Sequence, residues 1–176
     1  MDYERNGEGL LVPQKTSLGG RYIAELIRAN GTVEHFEDDN LIVNEGLNSV
    51  LNVYLGAGTQ LTTWYVGLFQ GNYTPVATDT AANIASNSTE TTAYSGGVRP
   101  TYTPAAASGQ SITNAASRAT FTFTGGATIY GAFLVSSATI SGTSGTLLSA
   151  ARFASSKVVS SGDQLLITYV LSASSV

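Results

Sequence analysis

The sequence predicts a mainly β protein, an antiparallel β-sandwich or jelly-roll-like single domain with one short helix and an extended N-terminal arm. Three observations carry that expectation. Short segments of alternating or wholly apolar residues recur at fairly regular spacing, divided by Gly-, Ser- and Asn-rich turns, and amount to about eight to ten strands. A single segment has helical periodicity. No strand alternates with helices in the way a parallel sheet requires. The 176 residues suffice for one sizeable core, since a domain of about 150 residues buries roughly 68–70% of its unfolded surface.

Residues 1–19 carry four glycines or prolines spread among mixed charges, Gly7, Gly9, Pro13 and Gly19, and their apolar anchor is the run Leu10, Leu11 and Val12. They read as an arm preceding a β-sandwich domain over residues 20–176. "RYIAELIRANGTVEHFEDDNLIVN" reads as a hairpin. Tyr22, Ala24 and Leu26 alternate with Ile23, Glu25 and Ile27, Asn30-Gly31 favours a tight turn, and Val33 to Phe36 return. Leu41 to Val43 make a short third strand, with Glu37 to Asp39 placed in a loop before it. Asn44 suits a helix N-cap and Glu45 the positive end of a helix. Leu47, Val50, Leu51, Tyr54 and Leu55 then follow at helical spacing, and Gly56 and Gly58 end the segment.

From Thr62 onward the chain reads as strands. In "TTWYVGLF" Trp64, Val66 and Leu68 share one face, and Tyr65, Gly67 and Phe69 the other, so both faces call for burial. Residues 71–92 are polar and irregular. "AYSGGVRPTYT" suits an edge strand, because Pro100 removes a ladder donor. "SRATFTFTGG" alternates threonines with Ala119, Phe121 and Phe123, and "TIYGAFLVSS" is apolar on both faces. "LLSAARF" is a further strand, and "KVVSSGDQLLITYVLS" forms two strands around Gly162-Asp163. The expected core comprises Trp64, Val66, Leu68, Phe121, Phe123, Phe133, Leu165 and Ile167, packed under a helix over residues 45–55.

Charged residues make up 11% of the chain, against about 25% in ordinary domains. A sparsely charged surface can pack against another protein while desolvating few ions. Nine of the twelve acids lie before Gly46, and the net charge is −4. With no basic cluster, nucleic-acid binding is not expected, since that requires Lys and Arg to displace counterions. The chain has no cysteine, which excludes disulfides, thiolate metal sites and thiol catalysis. The acidic N-terminal stretch has no apolar run of the kind a leader carries, and no segment approaches 18 apolar residues, so cytoplasmic synthesis and no membrane span are expected.

Catalytic patterns are missing. The single histidine, His35, lies in a hairpin strand without a second metal-binding partner, and no G-x-S-x-G surrounds any serine. "SSK" lacks the S-x-x-K spacing. Asp79, Glu90 and Asp163 could supply a carboxylate pair for glycoside hydrolysis, but solvated loop positions account for them better. Glu37 to Asp39 lack the spacing of a calcium loop. The expectation is a protein with no enzymatic activity, no cofactor and no metal.

The order of blocks is itself informative. "DNLIVNEGLNSVLNVYL", "TQLTTWYVGLF", "YSGGVRPTYT", "ITNAASRATFTF", "TIYGAFLVSS", "GTLLSAARF" and "VVSSGDQLLITYVL" together resemble a family of small virion structural proteins of tailed bacteriophages and prophages, some of which look like head decoration or cement proteins. The resemblance runs from about Arg21 to Ala173 and departs from the family pattern at Gly71 to Ala93. It implies a virion role, with the major capsid protein or other virion structural proteins as partners, and no catalytic residues. On this reading the chain is a decoration protein, assembled onto the virion in the host cytoplasm, that bridges capsid subunits as a homo-oligomer, a trimer at local three-fold sites being favoured. A tail, neck or short-fibre component and a carbohydrate-binding sandwich are the competing expectations. Candidate subunit contacts are Leu10, Leu11 and Val12 in the arm, with Tyr73, Tyr94 and Tyr102 as an exposed aromatic set that would also serve a sugar platform.

Overall fold

The computed structural model describes residues 3–5 and 11–13 as backbone, and residues 16–175 in full. Near the N terminus β1 (Tyr3–Arg5) pairs antiparallel with β2 (Leu11–Pro13) and, among the described residues, joins no other strand. The body is an antiparallel β-sandwich. Its strands in chain order are β3 (Thr16–Ile27), β4 (Val33–Asp39), β5 (Leu41–Ile42), β6 (Trp64–Phe69), β7 (Thr101–Tyr102), β8 (Ser111–Thr113), β9 (Ala119–Thr122), β10 (Ala127–Val135), β11 (Leu147–Val159) and β12 (Gln164–Ser175). Helix α1 spans Asn44–Leu55 and the single-turn α2 spans Ile84–Asn87. One sheet has the order β5-β11-β10-β6-β7, with β7 at the expected edge; the other has the order β4-β3-β12-β8, with β9 also paired to β12.

The alternation read from the sequence sets which residues enter the core. Tyr22, Ala24 and Leu26 of β3 and Leu165, Ile167 and Tyr169 of β12 face Val66, Leu68, Ile129, Leu134 and Phe153 across the sandwich. Phe121 and Phe123 join them. The β3–β4 connection is wider than a two-residue turn: it runs from Arg28 to Thr32, and Gly31 alone takes a positive φ, of 85°. Sheet pairing begins at Thr16, opposite Ser175, so residues 16–19 belong to a long β3–β12 ribbon and not to a free arm. "LLSAARF" and "KVV" form one continuous strand, β11, which a register shift between Ile129 and Gly131 of β10 accommodates. Glu37 to Asp39 lie within β4 and not in a loop, where Arg21 bonds both Glu37 and Asp39 at 2.9 Å.

Apolar residues on both faces of β6 and β10 have a definite cause. Phe69, Phe133, Val135, Leu147 and Ala150 form a second cluster on the outer face of the sheet. Phe133 pairs across the strands with Gly67, and Phe69 with Gly131. Each ring lies where the glycine's Cβ would be: an added Cβ at Gly67 would meet Phe133 Cζ at 2.1 Å, and one at Gly131 would meet Phe69 Cζ at 2.1 Å. Two reciprocal ring-over-glycine pairs thus set how closely the outer layer approaches the sheet. Phe133 belongs to this outer cluster, on the far side of the sheet from the sandwich core in which it was expected.

Asp163 joins the two hairpin connections at one end of the second sheet. Its Oδ1 accepts from Ala29 N at 2.9 Å, and its Oδ2 accepts from Ser160 N at 3.0 Å and Arg28 Nη1 at 3.1 Å. Burial pushes its pKa up, but the two backbone donors and the Arg28 guanidinium outweigh burial and hold the carboxyl below its usual value. A folded-state pKa below the unfolded one stabilises fully above about pH 4 and is lost as pH falls through the folded value. Asp163→Asn is therefore expected to lower the urea midpoint at about pH 7 and to shrink the difference between midpoints at about pH 7 and about pH 3. A variant with the parental pH dependence would show that Asp163 is not the acid-sensitive group.

Candidate functional site

Helix α1 touches the sandwich through its first turn. An added Cβ at Gly46 would sit 2.4 Å from Leu148 O, so the helix seats against β11 at that point. Asn44 is the first helical residue and not the cap; Val43 holds the cap position without a side-chain bond. Glu45 Oε2 instead accepts from Ala81 N at 2.8 Å and Leu147 N at 2.7 Å. Beyond that turn the helix's apolar side chains are exposed. The expectation that α1 covers the core is overturned: Leu51 is 57% exposed, Tyr54 85% and Leu55 82%, and Leu47 and Val50 are also exposed. Helical periodicity is the same whether a stripe faces a core or a partner, which is why spacing alone misplaced it. One signal was legible: between Asn44 and Leu55 the only charge is Glu45, and a helix with a solvated back usually carries more.

Next to this stripe the sandwich is open at one end. A groove of about 460 Å³ runs between the sheets. Trp64, Tyr102, Leu134 and Leu148 line it from one sheet, and Ile112, Tyr169 and Leu171 from the other. Val50 of α1 and the segment Gln60 to Thr62 form its lip, and among the described residues no charged side chain lines it. Trp64 is therefore not a fully buried core residue as expected. It is half-buried, packs on the core cluster and forms part of the groove wall. Tyr102 carries a further feature: its hydroxyl is buried without a hydrogen-bond partner among the described residues, and burial pushes its pKa up.

The expected exposed tyrosine set does not exist. Tyr94 and Tyr102 are 5% and 6% exposed. Tyr94 packs edge-on against Phe121 with centroids 4.9 Å apart, and Tyr102 edge-on against Tyr169 at 5.8 Å. Tyr73 is half-buried, and its hydroxyl donates to Asp79 Oδ1 at 2.8 Å. The three cannot form a sugar platform or a joint contact surface, because their rings pack inward. Leu10 lies outside the described residues, as do the side chains of Leu11 and Val12.

Residues 71–92 form an ordered cover over the outer face of the sheet, with Ala81 and Ile84 packed on Phe69 and Phe133. The acids assigned to solvated loops are buried: Asp79, Glu90 and Asp163 are 1%, 6% and 4% exposed. Each is bound internally. Asp79 Oδ2 accepts from Val76 N at 2.9 Å. Glu90 receives Arg99 Nε and Nη2 at 2.7 and 2.8 Å and Ser141 N at 2.6 Å, while Arg99 Nη1 donates to Ser137 O at 2.8 Å. The guanidinium carbon stands 5.1 Å from the centre of the Phe133 ring. This fork-to-fork ion pair pins the cover, the 138–141 turn and Phe133 together.

His35 is exposed, with Nδ1 3.7 Å from Glu25 Oε2. Lys157, of the "SSK" triplet, pairs with Glu34 and stands over the Phe36 ring at 4.5 Å. Among the described residues no three His, Cys, Asp or Glu side chains converge as metal ligands, and no helix is long and apolar enough to cross a membrane. The chemistry this surface offers is apolar contact: an uncharged groove continuous, through Val50, with an exposed helical stripe. No protein-family model and no curated protein matches this chain.

Proposed function

We propose that this chain is a virion structural protein of a tailed bacteriophage, a head decoration or cement subunit that bridges and stabilises capsid subunits. The observation that carries the reading is the exposed apolar stripe of α1 joined to the open groove. Contiguous apolar surface of this kind on a soluble chain marks a contact that is completed on assembly. The low charge of the remaining surface and the block-by-block resemblance to phage structural proteins support it. A subunit that holds two or more neighbours gains by effective concentration as well as by area. By binding the assembled shell in preference to free subunits, it shifts the equilibrium toward the shell by mass action.

The test is to compare virions with and without the protein for DNA release on heating, and to count copies per particle. Many copies and a raised release temperature are expected. A few copies confined to the neck or tail, with head stability unchanged, would replace this reading with the tail or short-fibre one. Within the surface, Leu51→Asp and Tyr54→Asp are expected to weaken attachment to virions while leaving the unfolding free energy within about 0.5 kcal/mol of the parent in urea titrations, because neither side chain supports the core. Full attachment by both variants would remove α1 from the contact.

A further inference from the structure

The groove and the N-terminal segment are complementary in a way that specifies what fills the groove. We propose that it receives the segment Leu10 to Pro13 from a second copy of this chain, so that exchange of arms joins the subunits. The inference rests on the reading of the groove as an assembly surface.

Three observations converge. The groove wall is apolar and among the described residues bears no charge, and Gly9 to Gln14, "GLLVPQ", is the uncharged stretch of an otherwise charged N-terminal segment. Next, β1 and β2 pair with each other and with neither sheet, and an isolated two-stranded hairpin is at best marginally stable in water. It needs a surface to pack on.

The third observation selects another copy over the chain's own arm. The groove-lining Leu171 pairs with Gly20, whereas the described ribbon ends at Thr16 opposite Ser175. Followed backward from the core, β3 leaves its own groove behind and runs on past it by four residues of register, about 13 Å. Val12 lies four residues before Thr16, a reach of about 14 Å at most. To enter its own groove the arm would have to reverse sharply within Pro13 to Lys15 at full extension. Continued onward, it meets a neighbour.

The absence of cysteine from the chain makes the test clean. Full-length Val12→Cys and Gln60→Cys variants are purified separately, mixed and oxidised; Gln60 is an exposed residue on the groove lip. A disulfide between the two variants is intermolecular by construction and is the expected product. The double variant is expected to give linked oligomers. A double variant that closes on itself as a bridged monomer would show the chain's own arm in the groove and overturn the exchange, as would a mixture with no cross-linked heterodimer. As a second reading, Leu11→Asp combined with Val12→Asp in the full chain is expected to shift the sedimenting species from oligomer to monomer. It should also red-shift the emission of Trp64, the chain's only tryptophan, as the groove empties. Unchanged sedimentation and emission would overturn the proposal. Because every step uses purified protein, loss of arm exchange is read separately from failure to attach to virions.

Discussion

Glu90→Gln is expected to cost about 3–5 kcal/mol of unfolding free energy, because it leaves a buried guanidinium without its counter-charge. The side chains of Arg99 and Glu90 are 1% and 0% exposed, so water cannot take over the lost bonds. Arg99→Met is expected to cost a similar amount, for the converse reason that it strands the carboxylate. The double variant Glu90→Gln with Arg99→Met should be much less destabilised than the sum of the singles, since removing both members of a buried pair can be nearly neutral. The damage should be local as well as global: amides of the 79–92 cover should exchange faster, while those of β3 and β12 keep their order. Urea unfolding of the three variants measures the coupling. A Glu90→Gln midpoint equal to the parent's would show that the pair contributes nothing to holding the cover.

Gly131→Ala is expected to be the most damaging single methyl added to the sheet, at about 3 kcal/mol, the upper end of ordinary overpacking costs. Its Cβ would stand 2.1 Å from both Phe69 Cζ and Ala151 O. The ring can move, but the carbonyl belongs to the partner strand, so relief requires a shift of the β10–β11 pairing. Gly67→Ala differs in kind. Its nearest atoms all belong to the Phe133 ring, and a smaller residue there can make room. Gly67→Ala should therefore be partly rescued by Phe133→Leu, whereas Gly131→Ala should not be rescued to the same degree by Phe69→Leu. Denaturation midpoints of the two singles and two doubles decide it. Equal rescue at both positions would mean that the Ala151 carbonyl yields as readily as a ring.

These two sites also mark how far the sequence could be read. The strands of the sandwich were legible because alternation is a local property: Tyr22, Ala24 and Leu26, or Ala119, Phe121 and Phe123, need only their own neighbours to define a face. The helix over Asn44–Leu55 and its end at Gly56 were legible for the same reason. That β6 and β10 are apolar on both faces was also visible, as a demand for a second covering layer. What provides that layer was not. Residues 71–92 look polar because the cover needs few apolar side chains against the sheet, chiefly Ala81 and Ile84 with Tyr73 beside them. Their acids looked solvated because nothing near them in the sequence shows that Asp79 is capped by a tyrosine or Glu90 by an arginine.

Orientation was the other thing beyond reach. A helical stripe at Leu47, Val50, Leu51, Tyr54 and Leu55 states that one face avoids water, and says nothing about what it faces; the Gly46 contact with β11 turns it outward after a single turn. Tyr94 and Tyr102 were assigned to the surface because tyrosine tolerates either environment, and the packing of Phe121 and Tyr169 draws them in. By itself the sequence determined the fold class, the strand faces and the sparse charge, since each follows from residue type and short-range spacing. Only the tertiary structure decided which apolar surface is core and which is left to a partner, because burial depends on what chain segments distant in sequence bring to the other side.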